Sequence, residues 1–325
     1  LPIEPPVAPH LKELSMPRVS IGIPVFNGEK YLRDALDSAL SQTFEDFEIL
    51  ISDNASTDST PEIAAEYCAR DSRVRYHRQE TNLGAAANFN YVFHHTTGEF
   101  FHWSSYDDML APEYLEECVA ALDADNGDAV LSYPQTLMID ADGNPLRVYD
   151  AVTRKGGSTP SKRLEEMIGP DERQQSHAHL CFPVFGLIRR EALIGTSLIA
   201  NMPRSDTLLL VELALRGAFI EVEKPLFLRR EHDKGSVISA ENEAKGNDVE
   251  LEKLLAAWFD PKRGNRFPAT LTRLGFGYLK ASLRTRMPIR EWFACVSISL
   301  AWLRRHRRWL FREFKLVLRD RLRMS

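Results

Sequence analysis

The sequence predicts an α/β fold, a mostly parallel sheet flanked by helices with a helical appendage at its C-terminal end. Three observations carry this expectation. Strand-length apolar runs alternate with helix-like stretches from Val19 to about Leu122, the order that builds a parallel sheet. Two of the runs lead into acids, where the strands of open α/β sheets face ligands. Charge is divided along the chain: residues 261–325 hold 17 Lys and Arg against 3 Asp and Glu, although the whole chain is −5. An acidic body thus precedes a basic tail.

Residues 1–16 are Pro-rich and irregular and are set aside as an extension, with no signal peptide expected. Val19 to Phe26 (VSIGIPVF) reads as the first strand and ends in the turn signal Asn27-Gly28. Phe47 to Ser52 (FEILIS) is a second run and delivers Asp53. Asn54 to Glu62 then forms a loop feeding a helix, with Pro61 near its first turn. Asn82-Leu83-Gly84 and Asn88 follow, and Phe100 to Trp103 is a short aromatic-rich strand.

That strand leads into Tyr106-Asp107-Asp108. Adjacent carboxylates repel unless something cationic shares them. A hard divalent ion does so by taking oxygens from the protein and from a substrate phosphate. The plainer alternative is a helix cap at Asp108, ahead of Pro112.

Ala129 to Ile139 is strand-like and is followed by a turn over Asp140 to Asn144. Val184 to Arg189 is another strand, with Gly186 allowing close approach of substrate. Ser205-Asp206 precede an apolar helix, Thr207 to Leu215, closed by Gly217. On its residues alone Asp206 is a helix cap or a catalytic base. Leu226 to Arg230 is the last strand and runs into Glu231-His232-Asp233. The body therefore spans 17–235, a polar mobile loop is expected at 236–250, and 251–325 form the basic helical region. His177-Ala178-His179 reads as a plain loop, since no third ligand is in view. Four scattered cysteines without C-x-x-C spacing suggest a reducing compartment.

In the tail, Leu303, Leu310, Phe314 and Val317 share a helical face, widened by Trp302, Trp309 and Phe311. Arg304, Arg305, Arg308, Arg312, Lys315 and Arg319 cluster opposite. Such a helix can lie in an anionic bilayer interface. It can equally pack its stripe on the body or on a second subunit, which leaves a homo-oligomer open. Trp292 to Leu303 is too short for a bilayer span, which needs roughly 20 residues.

Taken together, the body resembles glycosyltransferase family 2, enzymes of the Rossmann-like GT-A fold that use nucleotide-sugars. The likeness rests on Pro24-Val25-Phe26-Asn27, Asp53 to Asp58, Asn82-Leu83-Gly84 with Asn88, Gly98-Glu99-Phe100, and Asp107-Asp108. It is dense from Val19 to Leu122 and thinner to about His232. It implies an inverting enzyme that moves a sugar from a UDP-, GDP- or dTDP-type donor to a hydroxyl of a glycan or lipid-linked acceptor. Cell-envelope polysaccharide or glycolipid assembly is the implied setting, in the cytoplasm or on the inner face of the membrane.

The same resemblance assigns roles. Pro24, Val25, Phe26, Asn27, Asp53, Asn82, Gly84, Asn88 and Asp107 would hold the nucleotide. Asp108 and His232 would hold Mn2+ or Mg2+, Arg229 and Arg230 the diphosphate, and Asp206 would be the base. The family's metal motif is often Asp-x-Asp, and Tyr106 stands at the first of those positions. Tyr106 is the one support for a non-catalytic scaffold with a decayed site. Dinucleotide oxidoreductases and P-loop enzymes are excluded by missing glycine motifs. A nucleotidyltransferase would need a Gly-rich, Arg-containing opening loop, and the acidic body argues against nucleic acid.

Overall fold

The first strand, β1 (Val19–Val25), is buried along its whole length, as an apolar run is when helices cover both faces of its sheet. The computed structural model describes residues 16–149, 157–169, 182–233, 235–263 and 266–322. Residues 1–15, His177, His179 and Cys181 lie outside them. β1 pairs in parallel with β2 (Phe47–Asp53) and with β4 (Phe100–Trp103), and β2 pairs in parallel with β3 (Val74–Arg78). Helices α1 (Leu32–Leu40), α2 (Thr60–Arg70) and α3 (Ala85–His94) connect them. Strand alternation sorts the layers. Val19, Ile21 and Ile23 pack with Leu32, Leu36 and Tyr67, while Leu50, Phe101 and Trp103 pack with Val92 and Phe93 on the other side.

Past β4 the sheet becomes mixed. It adds β5 (Met109–Leu110), β6 (Ala129–Ile139), β7 (Pro145–Val148), β8 (Leu187–Arg189) and β9 (Ala218–Arg230). The order is β3-β2-β1-β4-β8-β6-β9-β5, with β7 paired to β6. β6 and β9 run parallel, whereas β8, β7 and β5 are antiparallel to their neighbours. The parallel character read from the sequence holds through β4 and returns between β6 and β9, while β8, β7 and β5 break it. Gly186 does not face a substrate: a Cβ there would lie 2.5 Å from the Ser132 carbonyl oxygen, so the close approach it allows is to β6.

Helices α4 (Tyr114–Ala124), α5 (Pro160–Ile168), α6 (Arg190–Leu193) and α7 (Ser205–Arg216) complete the body. The loop expected at 236–250 is largely helical instead, comprising α8 (Ser236–Ala244) and the start of α9 (Asp248–Phe259). Two features explain the difference. Ala240 and Ala244 give α8 a small buried face, and the Asn247 side chain caps α9 by accepting from the Val249 and Glu250 amides.

Three further helices close the chain: α10 (Thr270–Arg284), α11 (Ile289–Arg305) and α12 (Arg307–Leu322). Leu208 and Val211 of α7 and Leu164 of α5 share an apolar cluster with Leu274, Tyr278 and Trp302. Trp302 stacks on His306 with ring centroids 4.0 Å apart and is 7% exposed. For Trp302 and Leu303 the choice left open by the sequence resolves as packing on the body. Among the described residues no helix is long and apolar enough to cross a membrane.

Candidate active site

Strand pairing assembles the site. β5 follows Asp107-Asp108 directly and pairs with β9, Met109 opposite Leu228 and Leu110 opposite Phe227. Arg229, Arg230 and His232 are thereby laid beside the two acids. Arg229 Nη1 and the Arg230 amide each donate to Asp108 Oδ1 at 2.9 Å. His232 Nε2 lies 2.9 Å from Asp107 Oδ2, and Ser105 Oγ donates to Asp107 Oδ1. Both acids are buried, yet their environments differ. Burial pushes the Asp107 carboxyl up, but the His232 hydrogen bond, the Arg229 charge and the Ser105 hydrogen bond outweigh it and hold Asp107 below its ordinary range. Burial pushes Asp108 up to about 6, opposed by Arg229 and reinforced by Asp107.

Among the described residues, Asp108 Oδ2 and His232 Nδ1 of this cluster are buried without a hydrogen-bond partner. A neutral ring that donates through Nε2 keeps a lone pair on Nδ1. A carboxylate oxygen and an imidazole nitrogen are atoms that divalent ions accept. Among the described residues no group of three or more His, Cys, Asp or Glu is arranged to hold a metal ion by itself. Asp108 Oδ2 and His232 Nδ1 are donors of the kind that a divalent ion shared with a diphosphate and water accepts.

The two arginines part company. Arg229 has a side chain 31% exposed, and only Nη1 is engaged among the described residues. Arg230 is 1% exposed. Its Nε donates to the Asp107 carbonyl, Nη1 to the Ala141 carbonyl and Nη2 to Asp34 Oδ2, each at 2.9 Å. The Tyr31 ring lies 4.6 Å from its guanidinium. A fork so fully used inside the protein does not face a diphosphate. The role expected of Arg230 is corrected to holding the Asp pair in place.

Several residues expected at the nucleotide are tied into the loops around the site. Asp53 is fully buried, with Oδ1 accepting from the Ser56 amide and Oδ2 from the Tyr76 hydroxyl, both at 2.8 Å. Asn88 clamps β2, donating to the Ser52 carbonyl at 2.8 Å and accepting from Ser52 Oγ at 2.6 Å. Asn82 Oδ1 accepts from the Gly84 amide and from Asn54 Nδ2, each at 2.9 Å. Gly84 takes a left-handed φ of 85°, and a Cβ there would meet the Phe259 carbonyl oxygen at 2.4 Å. Among the described residues these partners hold Asp53, Asn88 and Gly84 in place within the loops. Pro24 and Val25 are buried at the strand end, and Phe26 and Asn27 remain exposed at the lip. Asn27 Oδ1 accepts from the Thr57 amide at 2.9 Å.

Asp206 sits within the first turn of α7 and is not its cap. The N-cap is Arg204, which makes no side-chain capping bond. Asp206 is half-buried, and its Oδ1 accepts from the Thr207 amide at 2.7 Å. No hydrogen bond or ion pair among the described residues joins it to Asp107 or Asp108. Leu209 and Leu210 of α7 do share the apolar cluster of Trp103, so the helix is anchored on the strand that delivers the acids. Tyr31 and Asp34 were missed by sequence reading. Their one signal is an aromatic and an acid opening the helix after the first strand, which nothing in spacing singles out.

A family model described as Glycosyl transferase family 2 matches residues 20–195, more than half of the chain. The chain belongs to that family. An uncharacterized glycosyltransferase of Rickettsia felis is 40% identical over 134 residues, 40% of this chain and 21% of that protein. The putative glycosyltransferase EpsE of Bacillus subtilis is 36% identical over 110 residues, covering 34% of this chain and 40% of EpsE. The family resemblance thus spans less than half the length of these relatives. Among solved structures, S. aureus TarS 1-349 aligns with a TM-score of 0.55 at 17% identity, over 93% of this chain and 88% of that one. TarS 1-349 in complex with UDP-GlcNAc aligns at 0.54, with 16% identity over 93% of this chain and 89% of that one. The mannosyltransferase PcManGT from Pyrobaculum calidifontis, in complex with GDP-Man and Mn2+, aligns at 0.50, with 17% identity over 94% and 86%. The shared architecture is the GT-A fold of the family.

Proposed function

We propose that this chain transfers a sugar from a nucleoside-diphosphate-sugar to an acceptor hydroxyl, with inversion at the anomeric carbon. The observation that carries the reading is Asp108 Oδ2, a buried and unpartnered carboxylate oxygen beside the partly exposed Arg229. A sugar leaves a nucleoside diphosphate once charge on the departing phosphate is neutralised. Arg229 supplies that charge from its unengaged nitrogens. Mn2+ or Mg2+, held by Asp108 with His232 Nδ1 as a second donor, would add Lewis-acid stabilisation of the diphosphate. Arg230 and His232 fix the two acids so that little reorganises during reaction. Asp206 takes the proton of the acceptor hydroxyl as it attacks opposite the leaving group.

Neighbours solved with UDP-GlcNAc and with GDP-Man support a donor of this class. A glycan or lipid-linked acceptor in cell-envelope assembly, on the cytoplasmic side, completes the reading.

A thermal-shift panel of UDP, GDP and dTDP, each with and without Mn2+, tests it. A ligand that binds the native state raises the melting temperature by mass action. One diphosphate is expected to stabilise the chain, and more so with Mn2+. Asp108→Asn keeps an oxygen for Arg229 and the Arg230 amide, and should erase the Mn2+ increment. If no diphosphate stabilises the chain under either condition this reading fails, and binding without turnover of a nucleotide-sugar selects the non-catalytic scaffold.

A further inference from the structure

We propose that α12, together with α11, docks the protein on an anionic phospholipid bilayer through a strip that the body leaves uncovered. The face of α12 turned to the body is fixed: Glu313 is 7% exposed and accepts from the Leu271 and Thr272 amides at 2.9 and 2.8 Å. Asp320 accepts from the Phe267 amide at 2.8 Å. The opposite face is held outward by those bonds. On it Phe311, Phe314 and Leu318 recur at helical spacing and are 59%, 61% and 47% exposed. Arg308, Arg312, Lys315 and Arg319 form the adjoining exposed row. The two rows touch, since Lys315 Nζ lies 4.5 Å from the Phe311 ring centroid.

The preceding helix repeats the pattern. α11 buries Cys295, Ser299 and Trp302 and exposes Ile289, Phe293 and Leu300, with Arg290 and Arg304 exposed beside them. This strip differs from the one that periodicity selected in the sequence, because Trp302 and Leu303 turn inward.

An apolar row flanked by cations suits a bilayer interface, where rings enter the acyl boundary and cations meet lipid phosphates. A second copy suits it poorly. An isologous contact would set each cationic row against its own duplicate. The remainder of the chain is acidic, so an anionic surface orients the molecule tail first. Docking of this kind does not depend on the donor chemistry.

Sedimentation of the 325-residue chain with vesicles tests the proposal. The chain is expected to pellet with phosphatidylglycerol–phosphatidylethanolamine vesicles, less so as salt rises, and to stay soluble with phosphatidylcholine alone. Phe311→Ser with Phe314→Ser should weaken binding at least about tenfold. Arg312→Gln with Lys315→Gln should weaken it similarly and remove the salt dependence. All four side chains are exposed, so both variants should keep the wild-type circular dichroism. If either pair folds poorly, the other pair reports alone. Wild-type protein that ignores phosphatidylglycerol, or binds both lipids equally, overturns the proposal. So do folded variants that bind like wild type. A dimer abolished by the phenylalanine pair assigns the strip to a second copy instead.

Discussion

Arg230 does more for the site than its neighbour while touching no solvent. Its side chain ties the Asp107 carbonyl, the Ala141 turn and Asp34, and its amide holds Asp108. Removing the guanidinium takes the donors from the Asp107 and Ala141 carbonyls and from Asp34 while the amide to Asp108 stays, at about 1–3 kcal/mol per group left buried and unsatisfied. Arg230→Met should therefore lower unfolding free energy by about 3 kcal/mol in urea titration, and weaken nucleoside diphosphate binding at temperatures where the variant stays folded. Arg229→Met should abolish binding and also cost stability, because it leaves the buried Asp108 without its cation. None of this was readable in sequence. Arg229 and Arg230 are adjacent, and which one faces inward depends on partners from three distant segments.

At the scale of elements, α7 and the C-terminal helices decide what can be cut or changed. Asp206 lies within the helix and is not its cap, so Asp206→Asn should leave stability almost unaltered. As the base, it should lose about 10²–10⁴-fold in transfer while donor affinity stays near wild type. Retained transfer would leave the base elsewhere, and Glu212 is a poor substitute because Oε2 already accepts from the Ser197 amide and hydroxyl. Trp302 is a core residue for the tail. Trp302→Ala should destabilise the fold by about 3–5 kcal/mol in chemical denaturation. Phe311→Ala, on the uncovered strip, should stay within about 0.5 kcal/mol of wild type. The strands β1, β2 and β4 were legible because runs buried on both faces leave an unbroken apolar signature. β3 (VRYHR) was not, since its half-exposed polar residues carry no such mark. The first half of β9 alternates Glu221, Glu223 and Lys224 with apolar residues, and hid behind its charge.

For the molecule as a whole, acid stability carries a test of the core. Burial depresses His102 from 6.5 to about 4, against weaker support from the Gly186 and Phe185 carbonyls. A neutral histidine inside the fold is a proton that only the unfolded chain accepts. Its contribution is complete above pH 6.5 and is lost as pH falls towards 4, about 3 kcal/mol in total. Asp108, raised to about 6, acts in the opposite direction over much of the same range, so the wild-type profile alone is blunt. The difference between wild type and His102→Gln isolates the histidine. That gap in unfolding free energy should be largest at pH 7 and close by about 3 kcal/mol near pH 4. A gap independent of pH would mean that His102 titrates normally in the fold. The overall architecture was legible from the order of runs, and the acid pair from its place after β4. The mixed half of the sheet was not, because strand direction is set by connections and partners that no local pattern encodes.

The contact between Asp108 and the Arg230 amide joins positions 122 residues apart. During synthesis, β1 to β4 can pair while most of β9 is still to be made, and the two acids then stand without their cations. A nascent chain halted before Ala218 would hold Asp107 and Asp108 but lack Arg229, Arg230 and His232. Closing so long a loop is slow. Assembly of the candidate site therefore trails collapse of the sheet, and refolding watched by tryptophan fluorescence should run ahead of recovered nucleoside diphosphate binding.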